Sequence, residues 1–144
     1  MRSLMMAALI LLAASPLHAQ DALPQFVFDG HHIGEARPTP EPREQCKGPG
    51  GEHPLMVCLR ENLDGVHLDA GYNYSSQGNL VGVGALTDSS EFKPLLTALT
   101  KRYGEPKARR SGTGHDYVQW RFREGKLHLT RTGDLVVLRF APSA

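Results

Sequence analysis

The sequence is poor in cysteine and aromatic residues, has almost no net charge, and contains no apolar run of membrane-spanning length. Two cysteines in 144 residues are too few for a disulfide-rich scaffold or a four-thiolate zinc site. A formal net charge of +1, from 16 Lys+Arg and 15 Asp+Glu, gives no bulk attraction to nucleic acid or to an anionic membrane surface. The longest apolar run, residues 4–14, is about half of what a spanning helix needs, so no stable membrane insertion is expected. There is no Gly-x-Ser-x-Gly elbow, no Cys-x-x-Cys and no His-x-x-x-His. Gly82-Val83-Gly84 lacks the third glycine of a dinucleotide fingerprint, because position 87 is Thr. These absences leave hydrolysis, thiol redox chemistry, zinc fingers and dinucleotide binding without support. The chain reads as non-enzymatic, with no cofactor and no metal.

What is present begins with an export signal. Arg2 supplies a positive start, residues 4–14 form an apolar core, and Ser15-Pro16-Leu17-His18-Ala19 breaks it and ends on a small residue. Residues 1–19 are therefore expected to be removed near Ala19, placing the protein in the periplasm or outside the cell. In such a compartment Cys46 and Cys58 are expected to pair as a structural disulfide closing a short loop.

Residues 20–64 hold six of the ten prolines, Pro24 to Pro54, and only two of the ten aromatics, Phe26 and Phe28. Proline removes a backbone donor and glycine costs chain entropy, so this segment is expected to be irregular and disulfide-pinned, with residues 26–28 docking on the core or adding an edge strand. Residues 65–144 carry the periodic signals of an α+β core. Val66, Leu68, Ala70, Tyr72 and Tyr74 alternate with polar or small residues as a half-buried strand does. After Ser75-Ser76-Gln77-Gly78 comes a second strand over 79–87, with Val81, Val83 and Ala85 on one face and Leu80, Gly82, Gly84 and Leu86 on the other. Glycines at such positions let another backbone or a helix approach closely.

Phe92, Leu95, Leu96, Leu99 and Tyr103 form one stripe of a helix. Ser90 is the expected cap, which places Pro94 in the first turn, and Gly104-x-Pro106 is the stop. Three further strands contain Val118/Trp120/Phe122, Leu127/Leu129 and residues 135–140. The predicted fold is a single antiparallel sheet of about five strands, ordered β-β-α-β-β-β, with one helix on one face.

The run Phe92-x-x-Leu95-Leu96-x-Ala98-Leu99-x-x-Arg102-Tyr103-Gly104-x-Pro106, followed by Trp120 and a hairpin, resembles a group of small exported bacterial proteins of unknown function. Phe28-Asp29-Gly30, Ile33-Gly34 and the spaced cysteines are similar to their N-terminal part. More loosely, the layout is similar to the β-lactamase-inhibitor-protein-like modules, in which helices pack on an antiparallel sheet. Pro38, Pro40 and Pro42 stand where those modules have a first helix. The resemblance implies a protein-binding or inhibitor-like role.

Charge placement supplies the candidate site. Residues 101–139 hold ten Lys/Arg and four Asp/Glu, whereas residues 20–100 hold five and eleven. Arg121 and Arg123 are expected on one strand face, with Lys107, Arg109 and Arg110 in the loop entering that strand and His128 on the paired hairpin. This basic face would dock an acidic envelope protein or another anionic envelope component; export argues against nucleic acid. The competing reading is that the acidic half simply neutralises the basic half. The second functional candidate is a small-molecule or metal site around His31 and His32, with His53 nearby.

Overall fold

The computed structural model describes residues 22–37, 45–48 and 51–144, and for 45–48, 51–57 and 59 it is the backbone that is described. The expected export signal, the prolines between 38 and 49, and the side chains of Cys46 and His53 lie outside the described residues.

The molecule is α+β; the described residues form ten strands and one α-helix in the order β1 (Val27–Phe28), β2 (His31–His32), β3 (Gln45–Gly48), β4 (Gly51–Leu63), β5 (Val66–Tyr74), β6 (Leu80–Asp88), α1 (Phe92–Tyr103), β7 (Ala108–Gly112), β8 (His115–Arg121), β9 (Gly125–Thr132) and β10 (Leu135–Pro142). β1 and β2 form a small hairpin. The other eight strands form one antiparallel sheet in the order β3-β4-β5-β6-β10-β9-β8-β7. Two four-strand meanders thus meet at β6 and β10, and α1 carries the chain from the middle of the sheet to its far edge.

The sheet is wider than the five strands expected, because three segments read as irregular are strands. β3 and β4 lie in the Pro/Gly-rich region. Pro54 is tolerated because it precedes the first β4–β5 pair, Met56↔Asn73, and falls where the register with β3 shifts. Asp64 and Gly65, both at positive φ, make the two-residue turn that joins β4 to β5. β7 takes up residues expected in a loop, turning through Thr113-Gly114 into β8.

One face of the sheet is covered. Leu68, Ala70 and Tyr72 of β5, Val118 and Trp120 of β8, Leu127 and Leu129 of β9, and Val136, Leu138 and Phe140 of β10 are all buried there. Phe92, Leu95, Ala98 and Leu99 of α1 pack against them. The helix starts at Phe92, as its stripe predicts, but the cap differs from expectation. Glu91, not Ser90, occupies the cap position of α1 and makes no side-chain capping hydrogen bond, while Asp88 caps the preceding 3-10 turn over Ser89–Glu91 by accepting the Ser90 N–H at 2.9 Å. Gly104, at φ 81°, ends the helix, and its carbonyl accepts the Trp120 indole N–H at 2.9 Å.

The N-terminal segment covers the rest of this face. Phe26 and Phe28 are fully buried, and the Phe26 ring stacks on Phe140 at 4.2 Å and meets Phe122 edge-on at 5.1 Å. The Tyr103 hydroxyl donates to the Val27 carbonyl at 2.6 Å. Farther on, Gly34 N–H donates to Leu80 O and Leu80 N–H to Glu35 O, both at 2.8 Å. Docking, rather than extension of the main sheet, is what Phe26–Phe28 do.

Candidate binding face

The second face carries no helix among the described residues, and register decides which side chains stand on it. Partners directly opposite in an antiparallel sheet share a face. One row reads Ala108, Gln119, His128, Arg139, Gly84, Gly71, Cys58 from β7 to β4. A second row reads Arg110, Tyr117, Thr130, Val137, Leu86, Asp69, Arg60. Arg121 stands opposite Lys126, which stands opposite Ala141. Arg110, Arg121, Lys126, His128 and Arg139 therefore lie on one open face.

This grouping corrects the sequence-derived one. Arg110, Arg121 and His128 come together as expected. Arg109 is on the opposite side, paired with Val118 and lining a hollow with Asp116, Arg131 and Phe92. The alternation of a strand forces adjacent Arg109 and Arg110 apart. Arg123 lies beyond the end of β8, where its N–H donates to Pro24 O at 3.0 Å, so it does not share a strand face with Arg121. Lys107 precedes β7 and is tied by its N–H to Gln119 O at 2.8 Å. Lys126 and Arg139 were missed. Their signal was present in the alternation with Leu127 and with Leu138 and Phe140, which are buried on the other face.

Among the described residues, no acidic side chain pairs with these cations. Among the described residues, Arg131 pairs with Asp116, Arg60 with Asp69 at 3.5 Å, and Lys101 with Asp64 at 4.0 Å. No described ion pair involves Arg110, Arg121, Lys126 or Arg139. Arg121 and Lys126 stand directly opposite each other, an arrangement of like charges that is unfavourable in a sheet. The field is felt by His128: burial, then Lys126 and Arg139, hold its pKa below the ordinary histidine value. Its Nδ1 lies 3.0 Å from the Tyr117 hydroxyl, which donates to Gln119 Oε1 at 2.6 Å. The imidazole is thus held in a polar chain beside cations that disfavour its protonated form.

Next to the cations is a groove of about 710 Å³, lined by Gly71, Gly82, Gly84, Val81, Leu86 and Arg139 among others. The expected face pattern of β6 is altered by a bulge. Asn73 pairs with Gly82 but Tyr74 with Leu80, leaving Val81 as the extra residue. Leu80 is consequently buried with Val83 and Ala85, while Val81 and Leu86 are 40% and 62% exposed. Gly82 and Gly84 face the open side, where no helix lies among the described residues.

His31 and His32 lie in the β1–β2 hairpin. Glu35 reaches both, at 2.6 Å from His31 Nδ1 and 3.9 Å from His32 Nε2, and the His31 ring lies 4.6 Å from that of Tyr72. No group of three or more His, Cys, Asp or Glu suited to a metal occurs among the described residues. Beneath this hairpin the Tyr72 hydroxyl donates to the buried Glu61 carboxylate at 2.5 Å, and burial raises the Tyr72 pKa. Cys58 opens onto the groove side opposite Gly71, and no described cysteine is free. Comparison with family models, curated proteins and solved structures returned no match.

Proposed function

We propose that this is a small exported, non-enzymatic binding protein that acts in the periplasm or outside the cell, and that the open sheet face is its contact surface. The observation that carries the reading is the set of four cations, Arg110, Arg121, Lys126 and Arg139, sharing one face with no ion-pair partner among the described residues. Like charges gathered on a rigid sheet cost stability until an anion neutralises them. The partner is therefore an anionic component of the cell envelope, recognised first by charge. The wide sheet suits this role because strands position side chains more firmly than loops do.

The same reading includes a Cys46–Cys58 bridge. Gln45 pairs with Val57, which brings the backbone of residue 46 beside the strand that carries Cys58. Non-reducing peptide mapping of the exported protein should recover the two cysteines in one linked fragment.

The functional test is retention of envelope components on immobilised protein while salt is raised. Retention should fall steeply as screening shortens the range of the exposed cations, and Arg121→Glu with Arg139→Glu should abolish it. Retention indifferent to salt and to both charge reversals would overturn the reading.

A further inference from the structure

We infer that the groove beside the cations takes a single-tailed anionic amphiphile, its aliphatic chain lying over Gly71, Gly82 and Gly84 and its acidic head at Arg139; the inference rests on the binding face proposed above. Neither Gly82 nor Gly84 has a positive φ, so the backbone there accepts any L residue. A Cβ on Gly84 would come no nearer than 3.5 Å to the Leu138 carbonyl, and one on Gly82 no nearer than 3.7 Å to Asn73. Both are ordinary contacts. The fold itself requires glycine at neither position, yet interior strand glycines carry an entropic cost. What their missing side chains create is the trough itself, which brings an occupant down onto the sheet backbone.

Shape and chemistry then narrow the occupant. Gly71 and Gly84 are direct partners on neighbouring strands, and Gly82 lies two residues along β6. The bare floor is therefore about one strand spacing across, roughly 5 Å, and narrower than the roughly 10–12 Å of a helix with its side chains. An extended peptide fits the width but not the chemistry. β5, β6 and β10 are each paired on both sides, so the floor offers a peptide few free backbone partners, and its buried amides would go unsatisfied. An aliphatic chain has no such groups. Val81, Leu86 and Val137 supply apolar walls, and a volume of about 710 Å³ is within the range of small-ligand sites. Charge sets the polarity. Arg139 lines the groove and stands between Gly84 and His128 in the same row, with Lys126 two residues from His128 along β9. Asn73 and Asp69 also line the groove, and the Asp69 carboxylate is paired with Arg60 at 3.5 Å, which leaves Arg139 as the lining charge without an ion-pair partner among the described residues; a largely apolar trough with that cation at one side matches a tail with an acidic head.

The experiment is calorimetric titration of the exported protein with dodecanoate below its micelle concentration, against acetate and dodecyltrimethylammonium. Dodecanoate should bind one to one, and each control should bind at least tenfold more weakly, since either the tail or the charge-assisted contact is lost. Gly84→Val fills the floor and Arg139→Glu reverses the head site; each should weaken dodecanoate binding about tenfold or more, and circular dichroism should show both folded. Gly82→Val provides a second block if Gly84→Val fails to fold. Equal binding of dodecanoate and acetate, or dodecanoate binding untouched by the glycine variants, would sink the inference. Salt-sensitive envelope retention lost in Arg121→Glu/Arg139→Glu but unchanged in the glycine variants overturns the amphiphile alone and leaves the anionic face standing. Self-association of the ligand-free chain that the same glycine variants abolish would assign the groove to a second copy and likewise overturn it.

Discussion

His128 joins local environment to binding. Its depressed pKa means that the folded protein takes up this proton less readily than the unfolded chain does, so this group's contribution to stability is complete above the ordinary histidine range and is lost as pH falls through it. Anion binding moves the other way, because protonation of His128 adds a positive charge beside Arg139 and Lys126. Raising the acidity should therefore strengthen anion binding while weakening the ligand-free fold. Histidine proton shifts followed by NMR should move upward in pKa when an anion is added, and His128→Gln should remove the acid-side gain. Asp116 carries a complementary effect. Its hydrogen bond from Arg131 Nε at 2.6 Å holds its carboxyl below the usual range, so stability present above that range is lost on acidification. Arg131 itself also lies over the Phe92 ring at 5.5 Å, which fixes it on the covered face and out of the binding cluster.

Strand glycines separate two demands on an element. At Gly125, a Cβ would collide with the Ala141 carbonyl and the Phe140 ring, both on β10, the strand paired beside it. Gly125→Ala should cost roughly 1–3 kcal/mol, as overpacking does, in chemical denaturation. Gly84→Ala meets only ordinary contacts and should be neutral or gain about 0.5–1 kcal/mol, while shrinking the groove. A similar contrast holds for the N-terminal segment. Phe26→Ala removes a fully buried ring stacked between helix and sheet and should cost about 3–5 kcal/mol, whereas exposed Val27 should tolerate change. Elements with a strong period were legible: β5 and α1 lie where alternation and the apolar stripe put them. β4 was hidden because prolines and glycines at its start mask the alternation of Leu59, Glu61 and Leu63, although Asp64-Gly65 before Val66 is a hairpin signal. β7 was hidden because an edge strand of Arg109, Arg110 and Ser111 carries no apolar pattern.

At the scale of the whole molecule, the eight-stranded sheet carries the helix and residues 26–28 on one side, and among the described residues no helix covers the other. Reduction of the proposed Cys46–Cys58 bridge should lower unfolding free energy by about 3 kcal/mol in the chain-entropy model, without removing β5–β10, where the described core lies. The sequence by itself determined the helix, the alternating strands, the α+β class and the concentration of cations in residues 101–139, because periodicity and composition are local properties of a chain. It also held the glycines of β6. Only the tertiary structure decided which cations stand together. Strand register put Arg139 and Lys126 beside His128, sent Arg109 to the other face, and, through one bulged residue at Val81, buried Leu80 with Val83 and Ala85 while Gly82 and Gly84 stayed on the open side. A shift of one residue exchanges the two faces of a strand, and which residues pair across a sheet depends on segments far apart in the chain.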